Sequence, residues 1–293
     1  MNTPTHSVFL VVHPERAVAA AAAASVLAWC EQHGWGVNMT ASDAERLDYP
    51  DLGVSTGTVD EVVARATVVV SVGGDGTMLF ASRLTADHRV PVLGINTGRL
   101  GYLTEVEPDQ IDSALDDVAA GRYEIEDRMR IELRVERADG TTEGPWSALN
   151  EGVVEKLSQG HTVHLAVDFH GNRFNTYSTD ALIVATPTGS TAYSMSARGP
   201  IVEPTHRAIL FTPVSPHTLF DRSLVLDPTT EVRITVDGDR QAILSVDGWA
   251  RTQLGEGDSI VACTSSQSTH LISFGARTFH QVLTSKFGLV KER

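Results

Sequence analysis

The stretch VVVSVGGDGTML, residues 68–79, decides how the first half of the chain folds. Val68, Val69, Val70, Ser71 and Val72 form a short apolar run, the mark of a strand buried on both faces. Gly73 and Gly74 stop it, and Thr77, Met78, Leu79 and Phe80 resume an apolar pattern at helical spacing. A strand that turns sharply through glycines into a helix is where α/β proteins hold anions. Asp75 is the odd member, a negative charge where negative ligands are expected. A carboxylate can stand beside phosphates if it binds a metal or takes the proton of a hydroxyl attacking phosphorus. Both readings point to phosphoryl transfer. The plainer alternative is that Asp75 caps the following helix, although a cap does not require the flanking Gly73, Gly74 and Gly76.

Working outward, residues 7–12 (SVFLVV) read as a first strand and the alanine-rich segment from Glu15 to His33 as a helix ending near Gly34. A second strand is expected near Val37, followed by a polar stretch to about Gly57. A short helix is expected over 60–66, a strand over 90–96 and a helix from Pro108 to Ala120. Strands alternating with helices imply a parallel sheet covered on both faces. After about Tyr123 the texture changes to strands with period-two alternation, interrupted only by TGSTAYSMSA. A last helix over 277–285 is expected to fold back on the first domain. The fold class is therefore an α/β nucleotide-binding domain (1–123), a mainly β domain (124–276) and a C-terminal helix (277–293).

Composition narrows the function. Of 293 residues 42% are hydrophobic, and mean hydropathy is −0.06, as in globular proteins. No apolar run approaches the roughly 18 residues of a membrane span. The start, MNTPTHSVFLVVHPER, has no basic region before its apolar stretch, which argues against a secretory signal. Cys30 and Cys263 lie far apart and form no metal spacing, so both read as apolar fillers in a reducing cytoplasm. Net charge is −14, and residues 1–125 hold 7 basic against 17 acidic side chains. That balance argues against nucleic-acid and anionic-membrane partners. Arg128, Arg130, Arg134 and Arg137 alternate with glutamates and read as a solvated, ion-paired face.

Two further constellations carry chemistry. In TPTGSTAYSMSA, Thr188, Gly189, Ser190 and Thr191 place small hydroxyls at the mouth of a helix, and Tyr193 offers an aromatic face to a base; taken alone, the segment reads more plainly as a Ser/Thr-rich helix cap with Tyr193 in the core. In ALNEGVVEK, Asn150 offers a donor and an acceptor to an adenine edge, while Glu151 can accept from two ribose hydroxyls; taken alone, the pair reads more plainly as a surface turn. Asp180, before an apolar strand, and Asp247, in SVDGWA, are candidate binding residues that hairpin turns also explain.

GGDGT, NTGRLGYL, ALNE and TPTGSTAYSMSARGP occur in this order in one chain, and together they resemble the NAD kinase family. GGDGT alone is shared with diacylglycerol, sphingosine and phosphofructo-type kinases; the TPTGSTAY segment with an upstream Asn-Glu pair is far more specific. The resemblance implies a Rossmann-like first domain and phosphoryl transfer from ATP, another triphosphate or polyphosphate to the 2′-hydroxyl of the adenosine ribose of NAD. It implies Mg²⁺ or another divalent cation with the donor, a cytoplasmic location and a homo-oligomer, dimer or tetramer. Residue by residue, it makes Asp75 the general base. Gly73, Gly74, Gly76 and Thr77 line the same loop, and Asn96 and Tyr102 match the NxGxxGF segment with Tyr in place of Phe. Asn150, Glu151, His161, Asp180, Thr188, Thr191, Ala192, Tyr193, Ser194, Met195, Ser196 and Asp247 fall at dinucleotide-binding positions. The chain departs from the family at Ser178, where an arginine is common, and at Trp249. A lipid or sugar kinase and a non-catalytic dinucleotide-binding regulator are the alternatives. For a sugar kinase, no arginines are identifiable near the loop.

Overall fold

The computed structural model describes residues 6–52, 58–158 and 160–289. The elements run β1 (Ser7–Val12), α1 (Ala17–His33), β2 (Gly36–Met39), α2 (Ala41–Arg46), α3 (Val59–Val63), β3 (Val68–Gly73), α4 (Asp75–Leu84), β4 (Val92–Asn96) and α5 (Ile111–Ala119). Then follow β5 (Glu124–Glu136), β6 (Thr142–Ala148), β7 (Glu151–Lys156), β8 (Val163–Phe169), β9 (Asn172–Thr179), β10 (Ala181–Ala185) and α6 (Tyr193–Ser196). The chain closes with β11 (Ile209–Val214), β12 (Leu224–Leu226), β13 (Val232–Val236), β14 (Ala242–Val246), β15 (Trp249–Leu254), β16 (Ser259–Ser273) and α7 (Phe279–Phe287).

The chain divides into two compact units. Unit 1 comprises residues 1–127 and 269–293, and unit 2 comprises 128–268. The divisions fall inside β5 and β16 rather than at 123 and 276. The reason at the second is that Leu271 of β16 pairs in parallel with Val92 of β4, so the chain rejoins unit 1 before α7 begins.

In unit 1, β2, β1, β3 and β4 lie side by side and parallel. All six residues of β3 are buried, as a strand covered on both faces requires. One apolar cluster includes Val8, Leu10, Val70, Val26 and Trp29, and another includes Phe9, Val69, Met78 and Ala81. The alternation of β3 side chains thus feeds both clusters. Helix α1 ends as expected at Gly34, whose φ of 69° is left-handed. The polar stretch after β2 is not all loop. Thr40 accepts a hydrogen bond from the Asp43 amide at 3.1 Å and caps α2, and Arg46 pairs with Asp43 at 2.7 Å. Residues 53–57 of that stretch lie outside the described residues.

In unit 2, β12, β11, β10, β7, β14 and β15 form an antiparallel sheet in that order. β13 pairs with β16 and β8, β8 with β9, and β5 with β6. Their inward residues, among them Leu133, Leu165, Tyr177, Val184, Phe211 and Leu244, share one core. The expected solvated arginine face holds only in part. Arg134 and Arg137 are ion-paired with Glu136, Glu143 and Asp258. Arg128 and Arg130 are buried, and the Arg130 guanidinium donates to Ser147 Oγ at 2.7 Å. Both share the strand face of Arg134, opposite the core residues Met129, Ile131 and Leu133, but are buried there, where a charge persists only with hydrogen-bond partners. Cys30 and Cys263 are both free thiols, and burial pushes Cys30 up to about 12. No helix is long and apolar enough to cross a membrane among the described residues.

Candidate active site

In unit 1 the site is built where β3 gives way to α4. Gly73 closes the strand, and a Cβ there would lie 2.1 Å from Thr77 Oγ1, so packing alone requires glycine. Gly76 differs: a Cβ there would meet no protein atom within 4 Å. Gly74 occupies the N-cap without a side-chain hydrogen bond, and Asp75 is the first helical residue. The Asp75 carboxylate does not cap its own helix. It accepts from the Tyr102 amide at 3.0 Å on both oxygens and from the Leu103 amide at 3.0 Å on Oδ1. This leaves Oδ2 with the greater remaining capacity to accept.

The partner loop, residues 96–103, is shaped by Asn96. Its buried amide donates to the Gly98 carbonyl and to Glu107, and its Oδ1 accepts from the Gly98 amide at 3.2 Å. Asn96 therefore organises the loop and has little left for a ligand. Gly101 lies directly under the acid: a Cβ there would come within 2.3 Å of Asp75 Oδ1. Between these segments opens a cleft of about 510 Å³, lined by Arg16, Gly74, Asp75, Thr97, Arg99, Gly101 and Lys286 among others. Thr97 Oγ1 is buried there without a protein partner. The Lys286 ammonium sits 4.0 Å from the centre of the Tyr102 ring, a cation–π contact. Burial and the Asp75 charge raise the Tyr102 phenol above its ordinary value.

Sequence reasoning missed these cations. Arg16 and Arg99 are the loop arginines that could not be identified from the sequence. Arg16 did carry a signal, since it follows β1 at the carboxyl end of a parallel strand, where α/β crevices form. Lys286, in α7, carried none.

In unit 2 the Asn-Glu pair opens β7. Asp247 sits at a φ of 48°, in the turn between β14 and β15. Its carboxylate accepts from the amides of Leu149 at 2.8 Å, Asn150 at 2.8 Å and Glu151 at 3.0 Å. Asp247 thus spends its oxygens on the protein and fixes the Asn150–Glu151 backbone. From the other side, Thr186 donates its amide to the Asn150 carbonyl at 2.8 Å and its hydroxyl to the Leu149 carbonyl. Glu151 is buried, and its Oε2 has no protein partner. Burial, with the neighbouring Asp247, pushes its carboxyl up to about 8, and hydrogen bonding from the Tyr193 amide opposes the shift.

The expected helix at TGSTAYSMSA is shorter than its sequence suggests. Thr188–Thr191 form a 3₁₀ turn, Ala192 breaks the run at φ −99° and ψ −129°, and α6 has only 4 residues. The turn is set by Gly189, where a Cβ would lie 2.1 Å from the Asn150 carbonyl oxygen. Thr188 Oγ1 is buried without a protein partner beside it in sequence. Ser194 is buried and shares a hydrogen bond with Thr212 at 3.2 Å, whereas Tyr193 is exposed and Thr191, Ala192 and Met195 are half-buried. Ser196 and His161 are exposed, and Asp180 is ion-paired with Lys156. Trp249 is also exposed.

Comparison with known proteins matches both units. A family model described as the ATP-NAD kinase N-terminal domain matches residues 8–123, and one described as the ATP-NAD kinase C-terminal domain matches residues 149–274. A NAD kinase of Heliobacterium modesticaldum is 44% identical over 220 residues, 75% of this chain and 77% of that protein. The crystal structure of yeast NADH kinase complexed with NADH superposes with a TM-score of 0.90 at 25% identity, covering 99% of this chain and 90% of that one. A NAD kinase from Archaeoglobus fulgidus in complex with ATP shares the fold, with a TM-score of 0.73 at 22% identity over 95% of this chain and 98% of that one.

Proposed function

Since the chain belongs to the NAD kinase family of phosphotransferases, we propose that it moves the terminal phosphoryl group of ATP to the 2′-hydroxyl of the adenosine ribose of NAD, forming NADP. The observation that carries this reading is the Asp75 carboxylate, held by the amides of Tyr102 and Leu103 in a cleft that also presents Arg16, Arg99 and Lys286. The ribose oxygen attacks the terminal phosphorus, its proton passes to Asp75 Oδ2, and ADP leaves. Charge builds on the phosphoryl oxygens during transfer, and fixed cations and amides stabilise it without reorganising. The open space over Gly76 supports close approach of a phosphate to the backbone.

Unit 2 supplies the dinucleotide contacts in this reading. Asn150, Glu151 and Thr188 support it, because two of them bury oxygen atoms that the protein leaves unpartnered. Thr191, Ala192, Tyr193, Met195, Ser196 and Asp180, which is paired with Lys156, are further dinucleotide contacts in this reading. Asn96, Ser194 and Asp247 serve by positioning their neighbours.

Among the described residues no group of three or more His, Cys, Asp and Glu gathers into a metal cage. We place the divalent cation with the triphosphate, as part of the substrate, since such cations are commonly held by substrate phosphates. A cytoplasmic location agrees with two free thiols. A homo-oligomer agrees with the exposed Leu219 and with the exposed Phe174 and Phe220 rings, in contact at 5.6 Å. Incubating the purified protein with Mg²⁺, NAD⁺ or NADH, and ATP or polyphosphate, tests the reading by the yield of 2′-phosphorylated product. Bound NAD⁺ with no product from any donor would refute it in favour of a non-catalytic regulator.

A further inference from the structure

Glu151 and Asp247 are two carboxyl groups set against each other with unequal partners. Asp247 accepts three backbone N–H groups, from Leu149, Asn150 and Glu151. Hydrogen bonds of that kind favour the ionised form. Burial raises the Asp247 carboxyl above its ordinary value, and its three backbone N–H donors and the Arg130 guanidinium on β5 oppose that shift and favour its charge. Glu151 has one opposing influence, the Tyr193 amide, and its Oε2 is buried without any partner. Further along β7, Glu155 lies 3.4 Å from Ser245 Oγ, and Lys156 is paired with Asp180. One proton shared by this pair therefore settles on Glu151. An arriving dinucleotide strengthens that outcome, because it excludes water and brings its own negative phosphates.

Resting on the dinucleotide reading above, we propose that Glu151 meets its ligand as a neutral carboxylic acid, whose hydroxyl donates a hydrogen bond to an acceptor atom of the adenosine, and that its burial beside the Asp247 carboxylate keeps it so. This reverses the polarity expected from the sequence, where Glu151 accepts from ribose hydroxyls. A donor here selects for a ligand atom with a free lone pair. Asp247 is then a positioning residue twice over: it fixes the backbone of the pair and sets the proton of the contact.

The test is equilibrium binding of NAD⁺ alone, by titration calorimetry from pH 6 to 9.5. Wild-type affinity should be level at low pH and fall by up to about tenfold per pH unit above about 8, the limit for one linked proton. E151Q supplies a permanent donor of the same shape. Its affinity should stay within about threefold of the wild-type low-pH value and show no pH dependence, since the amide does not titrate. D247N, if folded by circular dichroism, should move the wild-type break to lower pH. Affinity that rises with pH through 8, or an E151Q protein that binds tenfold or more weakly at every pH, would overturn the proposal in favour of an ionised acceptor. Failure of the wild type to bind NAD⁺ at any pH would remove the dinucleotide reading and this inference with it. Binding with the opposite pH trend would remove the inference alone.

Discussion

Substituting alanine for Gly189 would force apart two backbone segments that share one space. The added Cβ would lie 2.1 Å from the Asn150 oxygen, 2.6 Å from its carbonyl carbon and 2.8 Å from its Cα. Carbon atoms pack at about 3.5–4.0 Å, so one segment must retreat by roughly 1 Å. Neither is free to do so. Asn150 is tied to Thr186 and Asp247, and the turn is tied through Ser190, which bonds the amide and carbonyl of Val202 at 3.0 Å. Overpacking of this kind costs about 1–3 kcal/mol. For a unit of this size that lowers Tm by about 2–12 °C. The functional loss should be larger than the stability loss suggests, because a misplacement of about 1 Å can cost about 10²-fold in rate. We expect G189A to raise KM for NAD by about 10- to 100-fold and to leave KM for ATP unchanged, since the Asp75 cleft uses none of these residues. Thermal melts and steady-state kinetics with each substrate varied in turn read both effects. A G189A protein with wild-type Tm and wild-type KM for NAD would refute the packing argument.

Three further outcomes follow from the same geometry. D75N should fold and bind NAD⁺ but lose about 10²- to 10⁴-fold in turnover, the usual worth of a positioned base; undiminished turnover in a single-turnover assay would exclude Asp75 from proton transfer. K286M should raise KM for ATP several-fold and leave KM for NAD alone, and a matched change in both would show that Lys286 acts only by holding Tyr102. Stability should also depend on pH through Glu151. Its folded carboxyl sits at about 8 against an ordinary value of 4.5, so the folded state keeps a proton that the unfolded chain sheds. The contribution of Glu151 to stability is therefore full below about pH 4.5 and is lost as pH rises toward about 8, by an amount on the order of a few kcal/mol. E151Q removes that slope, so its Tm should exceed that of the wild type at pH 8; equal melting curves at pH 5 and pH 8 for both proteins would contradict this.

Local signals were enough for the strands and the long first helix of the parallel half of the fold. Strand β3 announced itself through a valine run, and Gly34 marked the end of α1 because only its left-handed conformation closes that helix cheaply. Helix α2 stayed hidden because its apolar content is low and its one strong sign, the Thr40 cap, lay inside a polar stretch. TGSTAYSMSA misled in the other direction: its spacing resembles a helix, but Ala192 leaves the helical region after one turn. The site was legible as a list of residues and not as an arrangement. Asp75 was found, but its restraint by Tyr102 and Leu103 spans 27 and 28 positions of chain. From the sequence Asp247 reads as either a binding residue or a hairpin turn, because nothing local reveals that its oxygens are used 96 to 98 positions upstream. Arg16, Arg99 and Lys286 come from three distant segments, and only folding makes them neighbours.

The discontinuity of unit 1 has a consequence for synthesis. A ribosome delivers β1 to β4 long before Leu271, which pairs with Val92, and before α7, which brings Lys286 to Tyr102. Until residues 269–289 emerge, the growing polypeptide carries a strand edge without its last neighbour, the condition under which nascent sheets self-associate. Premature termination before Leu271 should therefore leave aggregates rather than a weakened enzyme.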